Sequence, residues 1–112
     1  MNFKIKQAYQ KPQDIPIANV IRIQALSDYV EVFTTEGKHV MPGRMHELTE
    51  LHKDTFVRIH RSHLVNKDRS VRVKGNKIQV SSPGQQHTIL SIGREFKQNA
   101  KDNIPHFEEM LG

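Results

Sequence analysis

Short runs of alternating apolar and polar residues, separated by turn-forming residues, limit what this chain can fold into more than any other feature of its sequence. The run Ser70-Val71-Arg72-Val73-Lys74 alternates strictly, Gly75-Asn76 follows, and the alternation resumes in Lys77-Ile78-Gln79-Val80. Successive side chains of a β-strand point to opposite faces of a sheet, and Gly and Asn favour tight turns. This stretch therefore predicts a β-hairpin.

Other parts of the chain also favour strands. Val20–Leu26 is rich in β-branched residues, and Tyr29–Thr34 places Val30, Val32 and Thr34 on one face. Glu36-Gly37 predicts a tight turn that pairs the second of these strands with residues 38–41. Residues 88–92 predict a last strand.

Helical patterns are few and short. Residues 43–52 suit a helix of about two to three turns, and residues 94–100 suit another that buries Phe96 and Ala100 at i and i+4. The first helix carries three residues on one stripe: Met45, Leu48 and His52. The sequence therefore predicts a mainly β fold with one or two short helices.

With 112 residues the chain has room for one domain, and it contains no cysteine, which excludes disulfides and cysteine-bearing zinc sites. No run approaches the roughly 20 apolar residues of a membrane span, and the N-terminus has no secretory signal. We therefore expect a soluble intracellular protein. Pro12 and Pro16 at one end and Pro105 at the other predict frayed ends, the C-terminal one with apolar residues that could dock: Phe107, Met110 and Leu111.

The positive charge is concentrated in residues 53–80. This stretch holds eight lysine and arginine residues against two aspartates, a net +6, so that the other 84 residues carry −1 of the formal total of +5. A concentrated positive field attracts anions, and nucleic acid is the most abundant polyanion in a cell. Solvated strand faces of small proteins also carry lysine and arginine, so charge alone leaves both interpretations open.

The most informative segment is Phe56-Val57-Arg58-Ile59-His60-Arg61-Ser62-His63-Leu64-Val65-Asn66. A strand here would bury Val57 and Ile59 and present Arg58 and His60. The next apolar pair begins at Leu64, so the four polar residues 60–63 are expected to form an exposed loop or strand edge between buried anchors. Arginine pairs with guanine, and serine and histidine can reach phosphates or bases, so this loop is a candidate reader of nucleic acid.

This segment resembles the signature of the LytTR DNA-binding domain, in which Phe-x-Arg-x-His-x-Ser and a Val-Asn pair recur at this spacing. Residues 21–30 are similar to the first strand, loop and second strand of that family, and residues 43–48 to the start of its central helix. Residues 90–96 are similar to its closing strand and Arg-bearing turn. The resemblance predicts a domain over residues 15–101, with an N-terminal extension over 1–14 and a tail over 102–112.

The resemblance implies an elongated, multi-sheet β domain that places loops, not a recognition helix, in successive major grooves. By motif match it assigns DNA contacts to the loop His60-Arg61-Ser62 and to Arg94, and a further contact region to the loop that holds Asp28 and Tyr29. Among these residues we expect His60, Arg61 and Arg94 to contact base edges. Ser62, Lys67, Arg69 and Lys97 are expected to contact or neighbour phosphates. Asp28 departs from the family pattern, since a carboxylate can accept from cytosine but is repelled by phosphate. Asn66 is expected to fix a turn.

The implied function is sequence-specific binding of double-stranded DNA by a transcriptional regulator in the bacterial cytoplasm, without a cofactor. Sites in this family are often paired repeats, which would place two copies on one DNA. Family members commonly carry a regulatory domain ahead of this module. The chain would thus be a free-standing regulator or the DNA-binding part of a longer one.

Other function classes stay open from the residues alone. Seven histidines invite a metal site, but His46 and His52 do not share a helix face closely, and His60 and His63 are expected on opposite sides of a strand. A metal-independent phosphodiesterase would need these last two and His87 to converge. An RNA- or anion-binding β module would need exposed aromatic rings, whereas three of the aromatic residues are expected to be buried: Phe33, Phe56 and Phe96.

Overall fold

The computed structural model of the protein describes residues 1–7, 9–82, 84 and 86–106, and within them the chain forms ten strands and two short α-helices. The helices are α1 (Met45–Leu51) and α2 (Lys97–Asn103). The strands are β1 (Asn2–Ile5), β2 (Gln13–Pro16), β3 (Val20–Leu26), β4 (Tyr29–Thr34), β5 (Gly37–Pro42), β6 (Phe56–His60), β7 (His63–Asn66), β8 (Ser70–Val73), β9 (Lys77–Val80) and β10 (Thr88–Ser91). Neither helix is long and apolar enough to cross a membrane.

The strands form three antiparallel sheets. The largest has the order β5-β4-β3-β7-β6, a second has the order β10-β9-β8, and β1 pairs with β2. The molecule is elongated, with principal extents of 54 × 31 × 23 Å. The predicted mainly β, multi-sheet architecture is confirmed.

The five-stranded sheet lies between two apolar cores, because alternate residues of its strands point to opposite faces. On one face Ile23 and Leu64 pack with residues of β1, β2 and α1, among them Phe3 and Met45. On the other face the core is shared with the three-stranded sheet and α2, and its members are Ile21, Val57, Ile59, Val65, Ile78, Val80, Ala100 and Ile104. Each smaller layer therefore holds one face of the central sheet.

The predicted hairpins form, with a small change at each turn. The β4–β5 turn consists of Thr35 and Glu36 rather than the predicted Glu36-Gly37, because Thr34 pairs with Gly37. The Thr34 hydroxyl holds the turn by donating to the Gly37 carbonyl at 2.8 Å and accepting from the Glu36 amide at 3.2 Å. The β8–β9 hairpin closes through Lys74, Gly75 and Asn76, and the last two have positive φ.

The expectation of a frayed N-terminus is wrong. Phe3 and Ile5 of β1 are each 1% exposed, and the Phe3 ring packs 5.1 Å from the ring of His52. Pro16 ends β2 rather than interrupting a strand, a position that the ring of proline tolerates. The domain limits at 15 and 101 stay a prediction, but β1 contributes to the core.

The C-terminal helix begins later than predicted. Arg94–Phe96 form a 3-10 turn, and α2 follows with Ala100 buried as expected. Phe96 and Phe33 are half-buried instead of buried, and the Arg22 guanidinium lies 3.8 Å from the centroid of the Phe33 ring. The sequence leaves open whether Phe107, Met110 and Leu111 dock, and these positions lie outside the described residues.

Candidate nucleic-acid interface

Three surface segments meet at one end of the five-stranded sheet, which we call the turn end. They are the β3–β4 turn at Ser27 and Asp28, the β6–β7 turn at Arg61 and Ser62, and residues 93–96. The first two are adjacent because β3 pairs with β7, and the Ala25 amide donates to the Ser62 carbonyl at 3.0 Å. Sheet pairing thus brings together segments that are more than 30 residues apart in sequence.

The β6–β7 turn projects from two buried strands, as its sequence predicts. Ile59 and Leu64 are 0% exposed, whereas the Arg61 side chain is exposed. His60 Nδ1 accepts a hydrogen bond from the Ser62 amide at 3.0 Å. The neutral His60 ring therefore carries its hydrogen on Nε2, which makes that atom a donor.

Residues 93–96 dock beside this turn through the backbone of β6. The Gly93 amide donates to the Ile59 carbonyl at 2.7 Å, and Gly93 itself lies against the His60 ring. A β-carbon at position 93 would lie 3.3 Å from Cδ2 of His60 and 3.2 Å from Cδ2 of Phe96, so glycine permits the close approach. The result is a cleft of about 180 Å³ lined by His60, Arg61, Gly93, Arg94, Glu95 and Phe96.

The β3–β4 turn presents the other predicted contact residues. Ser27 adopts a φ of 55°, a left-handed conformation, and Asp28 is exposed beside it. Tyr29 pairs with Leu26 across the turn and is 50% exposed. Lys97, three residues after Arg94, is also exposed. The structure therefore places the predicted residues of this first loop and of the C-terminal turn at the turn end.

Two predicted contact residues lie elsewhere. Lys67 and Arg69 follow β7 at its other extremity, which we call the opposite end, and three steps of a strand separate His63 from Asn66 by about 10 Å. Arg69 Nε donates to the Ala18 carbonyl at 2.9 Å, so its guanidinium holds the chain just before β3.

Asn66 fixes the turn after β7, as predicted. It is 1% exposed, accepts from the Asp68 amide at 3.0 Å and donates to the Val20 carbonyl at 2.9 Å. The Ser70 hydroxyl donates to the Asn66 carbonyl at 2.7 Å. The polar groups of the opposite end therefore serve to join β7 to β3 and β8.

Sequence reasoning missed Arg44, which is exposed at the turn end. Pro42 pairs with Tyr29, so the segment that joins β5 to α1 emerges beside the β3–β4 turn. Arg44 lines a cleft of about 660 Å³ together with Asp28, Tyr29 and Arg58. The sequence could have indicated this position. Arg44 follows β5, and the pairing of β5 with β4 brings Gly43 and Arg44 to the end of the sheet that holds the β3–β4 turn.

The basic stretch predicted from the sequence does not form one exposed patch. Arg58, Arg69 and Arg72 all donate to main-chain carbonyl groups, and Arg22 donates to the Gln24 side chain at 2.8 Å. In the described part of the chain, three arginines are exposed without such a partner: Arg44, Arg61 and Arg94. All three lie at the turn end.

His60 and His63 are neighbours, which corrects the prediction that they point to opposite sides of a strand. They belong to two strands joined by a two-residue turn and pair across it, with ring centroids 5.2 Å apart. Burial lowers the pKa of His63, and the charges of His60 and Arg22 lower it further. Within the described residues no three histidine or carboxylate side chains are grouped to hold a metal ion, so His87 does not join the pair as a ligand.

Residues 13–104 match the model of the LytTr DNA-binding domain family. The chain belongs to the LytTR family. A similar solved structure is the LytTr DNA-binding domain of a protein described as a methyl-accepting/DNA response regulator from Bacillus cereus, at 19% sequence identity. The alignment covers 90% of this chain and 91% of that one, with a TM-score of 0.64, so the two share a fold. A search of curated proteins finds no match.

Proposed function

We propose that this LytTR domain binds double-stranded DNA in a sequence-specific manner and that its turn end faces the DNA. The observation that carries the proposal is the position of the exposed arginines. Arg44, Arg61 and Arg94 lie on three different segments, yet the fold brings all of them to one end of the sheet. Exposed guanidinium groups on projecting turns suit both phosphate contact and bidentate recognition of guanine.

The β6–β7 turn and the adjacent cleft recognise the DNA bases in this proposal. Arg61 and Arg94 line the same cleft, so they can reach neighbouring base pairs of one major groove. The His60 ring supplies a donor at Nε2 because its Nδ1 is held by the Ser62 amide. The half-buried Ser62 contacts phosphate through its hydroxyl group.

The β3–β4 turn is the third contact region of this proposal. The Asp28 carboxylate accepts from the amino group of a cytosine, since next to phosphate it would be repelled. Tyr29 supplies a half-exposed ring and hydroxyl at the same turn. Arg44, which lines the same cleft as Asp28, contacts the DNA backbone.

Phosphate contacts extend beyond the turn end in this proposal. Lys97 lies next to the Arg94 segment and is exposed. Lys67, at the opposite end, would contact the backbone further along the duplex, with Arg69, whose Nε donates to the Ala18 carbonyl, as its neighbour. These contacts position the domain and carry no sequence information.

In its biological setting the domain acts in transcriptional regulation in the bacterial cytoplasm. Two copies on paired repeats of one DNA would raise the effective affinity without a new contact within either copy. A regulatory domain or protein ahead of the module would supply the signal.

Selection of bound duplexes from a random pool tests the proposal and supplies the target at the same time. The expected result is enrichment of a defined sequence, and the selected duplex should then outcompete scrambled duplex, single strands and RNA. Preferential competition by RNA or single strands would instead support a general anion-binding β module. Cleavage of labelled duplex without added metal would support the phosphodiesterase.

A further inference from the structure

The guanidinium group of Arg58 lies directly behind the β6–β7 turn. Its Nε donates to the His60 carbonyl at 3.1 Å, and its Nη2 donates to the Arg61 carbonyl at 2.5 Å. One planar fork therefore fixes two successive carbonyl groups of the turn that carries Arg61. A lysine could not do the same, because its ammonium group is a point donor on a flexible stem.

The same residue also contacts the segment that carries Arg94. The Arg58 guanidinium carbon lies 5.6 Å from the centroid of the Phe96 ring, and Phe96 closes the 3-10 turn of residues 94–96. The Arg58 carbonyl accepts from the Asn99 side chain of α2 at 2.9 Å. Arg58 is thus bonded to one DNA-facing segment and packed against the other.

We infer that Arg58 is a positioning residue that fixes Arg61 and Arg94 relative to each other, so that both reach DNA at one defined spacing. The inference rests on the proposed function. Bidentate base recognition depends on the position of each guanidinium, and a turn that moves by about 1 Å loses much of its selectivity.

The charge of Arg58 has a second consequence for the turn. The His60 and Arg61 carbonyls carry partial negative charge, which would repel a nearby phosphate. Hydrogen bonding to a cation offsets that charge, and arginine remains protonated at neutral pH although burial lowers the pKa of Arg58. The Arg58 guanidinium group therefore reduces the repulsion between these two carbonyl groups and a DNA phosphate that approaches the turn.

The test compares Arg58→Gln and Arg58→Lys with Arg72→Gln. Arg72 is a matched control because its Nε also donates to a main-chain carbonyl, that of Ile104 at 2.9 Å, but none of its hydrogen bonds involves the two DNA-facing turns. Each variant is titrated with the selected duplex and with a scrambled duplex at one salt concentration. Its folding is checked by thermal unfolding.

Arg58→Gln should weaken binding to the selected duplex by about tenfold or more, the loss of one bidentate contact, and should weaken scrambled duplex much less. Arg58→Lys should also lose preference, although it keeps the charge. Arg72→Gln should change both affinities by the same small factor. Full preference in Arg58→Lys would overturn the inference, because charge alone would then suffice.

A double variant tests the link to Arg94. If Arg58 positions Arg94, the Arg94→Ala change should cost less in the Arg58→Gln background than in the native chain. Losses that multiply independently would contradict the inference. If Arg58→Gln does not fold, Phe96→Leu removes the ring beneath the guanidinium and should reduce the preference in the same direction, whereas an unchanged preference would contradict the link.

One readout needs no DNA. Amide exchange at Ser62 and Phe96, whose amides donate to His60 Nδ1 and to the Gly93 carbonyl, should accelerate in Arg58→Gln and stay unchanged in Arg72→Gln. If the native chain binds no duplex DNA, the proposed function is refuted. The exchange experiment still decides in that case whether Arg58 orders the two turns. Unchanged exchange at Ser62 and Phe96 would refute the positioning role itself.

Discussion

Both ends of the five-stranded sheet hold polar and basic side chains, but they use them differently. At the turn end Arg61 and Arg94 are exposed on projecting turns. At the opposite end Arg69 donates to the Ala18 carbonyl, and the buried Asn66 holds Val20 and Asp68. The exposed arginines of the first end are available to a ligand, whereas Arg69 and Asn66 of the second connect strands.

This difference shows why a charge count along the sequence is a weak guide to an interface. Residues 53–80 carry a net +6, but Arg58, Arg69 and Arg72 from that stretch donate to main-chain carbonyls. Arg44 and Arg94, which lie outside it, are exposed at the turn end. The partner of each guanidinium, and not its place in the sequence, separates a structural arginine from one that is free to bind.

The largest effect is expected at the opposite end. Asn66→Ala should lower the free energy of unfolding by about 2–3 kcal/mol, because it leaves the Val20 carbonyl and the Asp68 amide without their partner. Urea unfolding measures this change. Gln98→Ala, which removes an exposed hydrogen bond to Asp102, is the control and should change stability little. If the Asn66→Ala protein keeps its stability but shows an altered DNA preference, the opposite end takes part in DNA recognition and its structural role is wrong.

The next effect separates two arginines of similar charge. Arg61→Ala should cost about 1–3 kcal/mol on the selected duplex and relax preference at one base pair, without loss of stability. Arg69→Ala should instead destabilise the fold by about 1 kcal/mol and leave the ratio of selected to scrambled affinity unchanged. Paired titrations and unfolding curves for both variants decide the point. If the ratio of selected to scrambled affinity is the same in the two variants, the β6–β7 turn does not recognise the DNA bases.

The salt dependence of binding compares phosphate contacts at both ends. If about four to six phosphates are neutralised, log K should fall against log[salt] with a slope of roughly −3.6 to −5.4. Arg44→Ala and Lys67→Ala should each reduce the magnitude of this slope by about 0.9 and weaken selected and scrambled duplex alike. Lys4→Ala, an exposed position on β1, is the control. An unchanged slope for Lys67→Ala alone would confine the interface to the turn end.

The smallest effect concerns pH. Burial lowers the pKa of His63 at the turn end and of His52 at the opposite end below the ordinary 6.5. The unfolded chain then binds more protons than the folded chain, so this stability is present above about pH 6.5 and is lost as the pH falls toward the folded-state values. Urea midpoints between pH 7.5 and 5.5 should fall, and less so in His52→Gln and His63→Gln. A midpoint that rises on acidification would contradict both shifts.

Local periodicity was sufficient to predict much of the fold. β3, β4, β8 and β9 alternate along their own sequence, and their turns contain residues that tolerate the required backbone. The N-terminal hairpin was missed although Phe3 and Ile5 alternate with lysines, because the prolines at 12 and 16 suggested an irregular end. Its place in the fold comes from the packing of Phe3 against the rings of His52 and Phe56, which no local pattern reveals.

The candidate site was predictable only in part. The β6–β7 turn was recognisable because four polar residues interrupt two buried strands. The contribution of Arg44 depends on strand pairing, and that of Arg58 on which carbonyls its side chain meets. The relation of His60 to His63 likewise depended on the length of the turn, since a strand and a hairpin place the same two residues differently.

Amide chemical shifts during titration with the selected duplex test most directly whether the turn end faces DNA. The largest changes should occur at Asp28, Ser62 and Arg94, which lie on the three segments of the turn end. Small changes are expected at Val71 and Ile89, on the outer face of the three-stranded sheet. Large changes at Val71 and Ile89 with Ser62 and Arg94 unaffected would show that the turn end does not face the DNA.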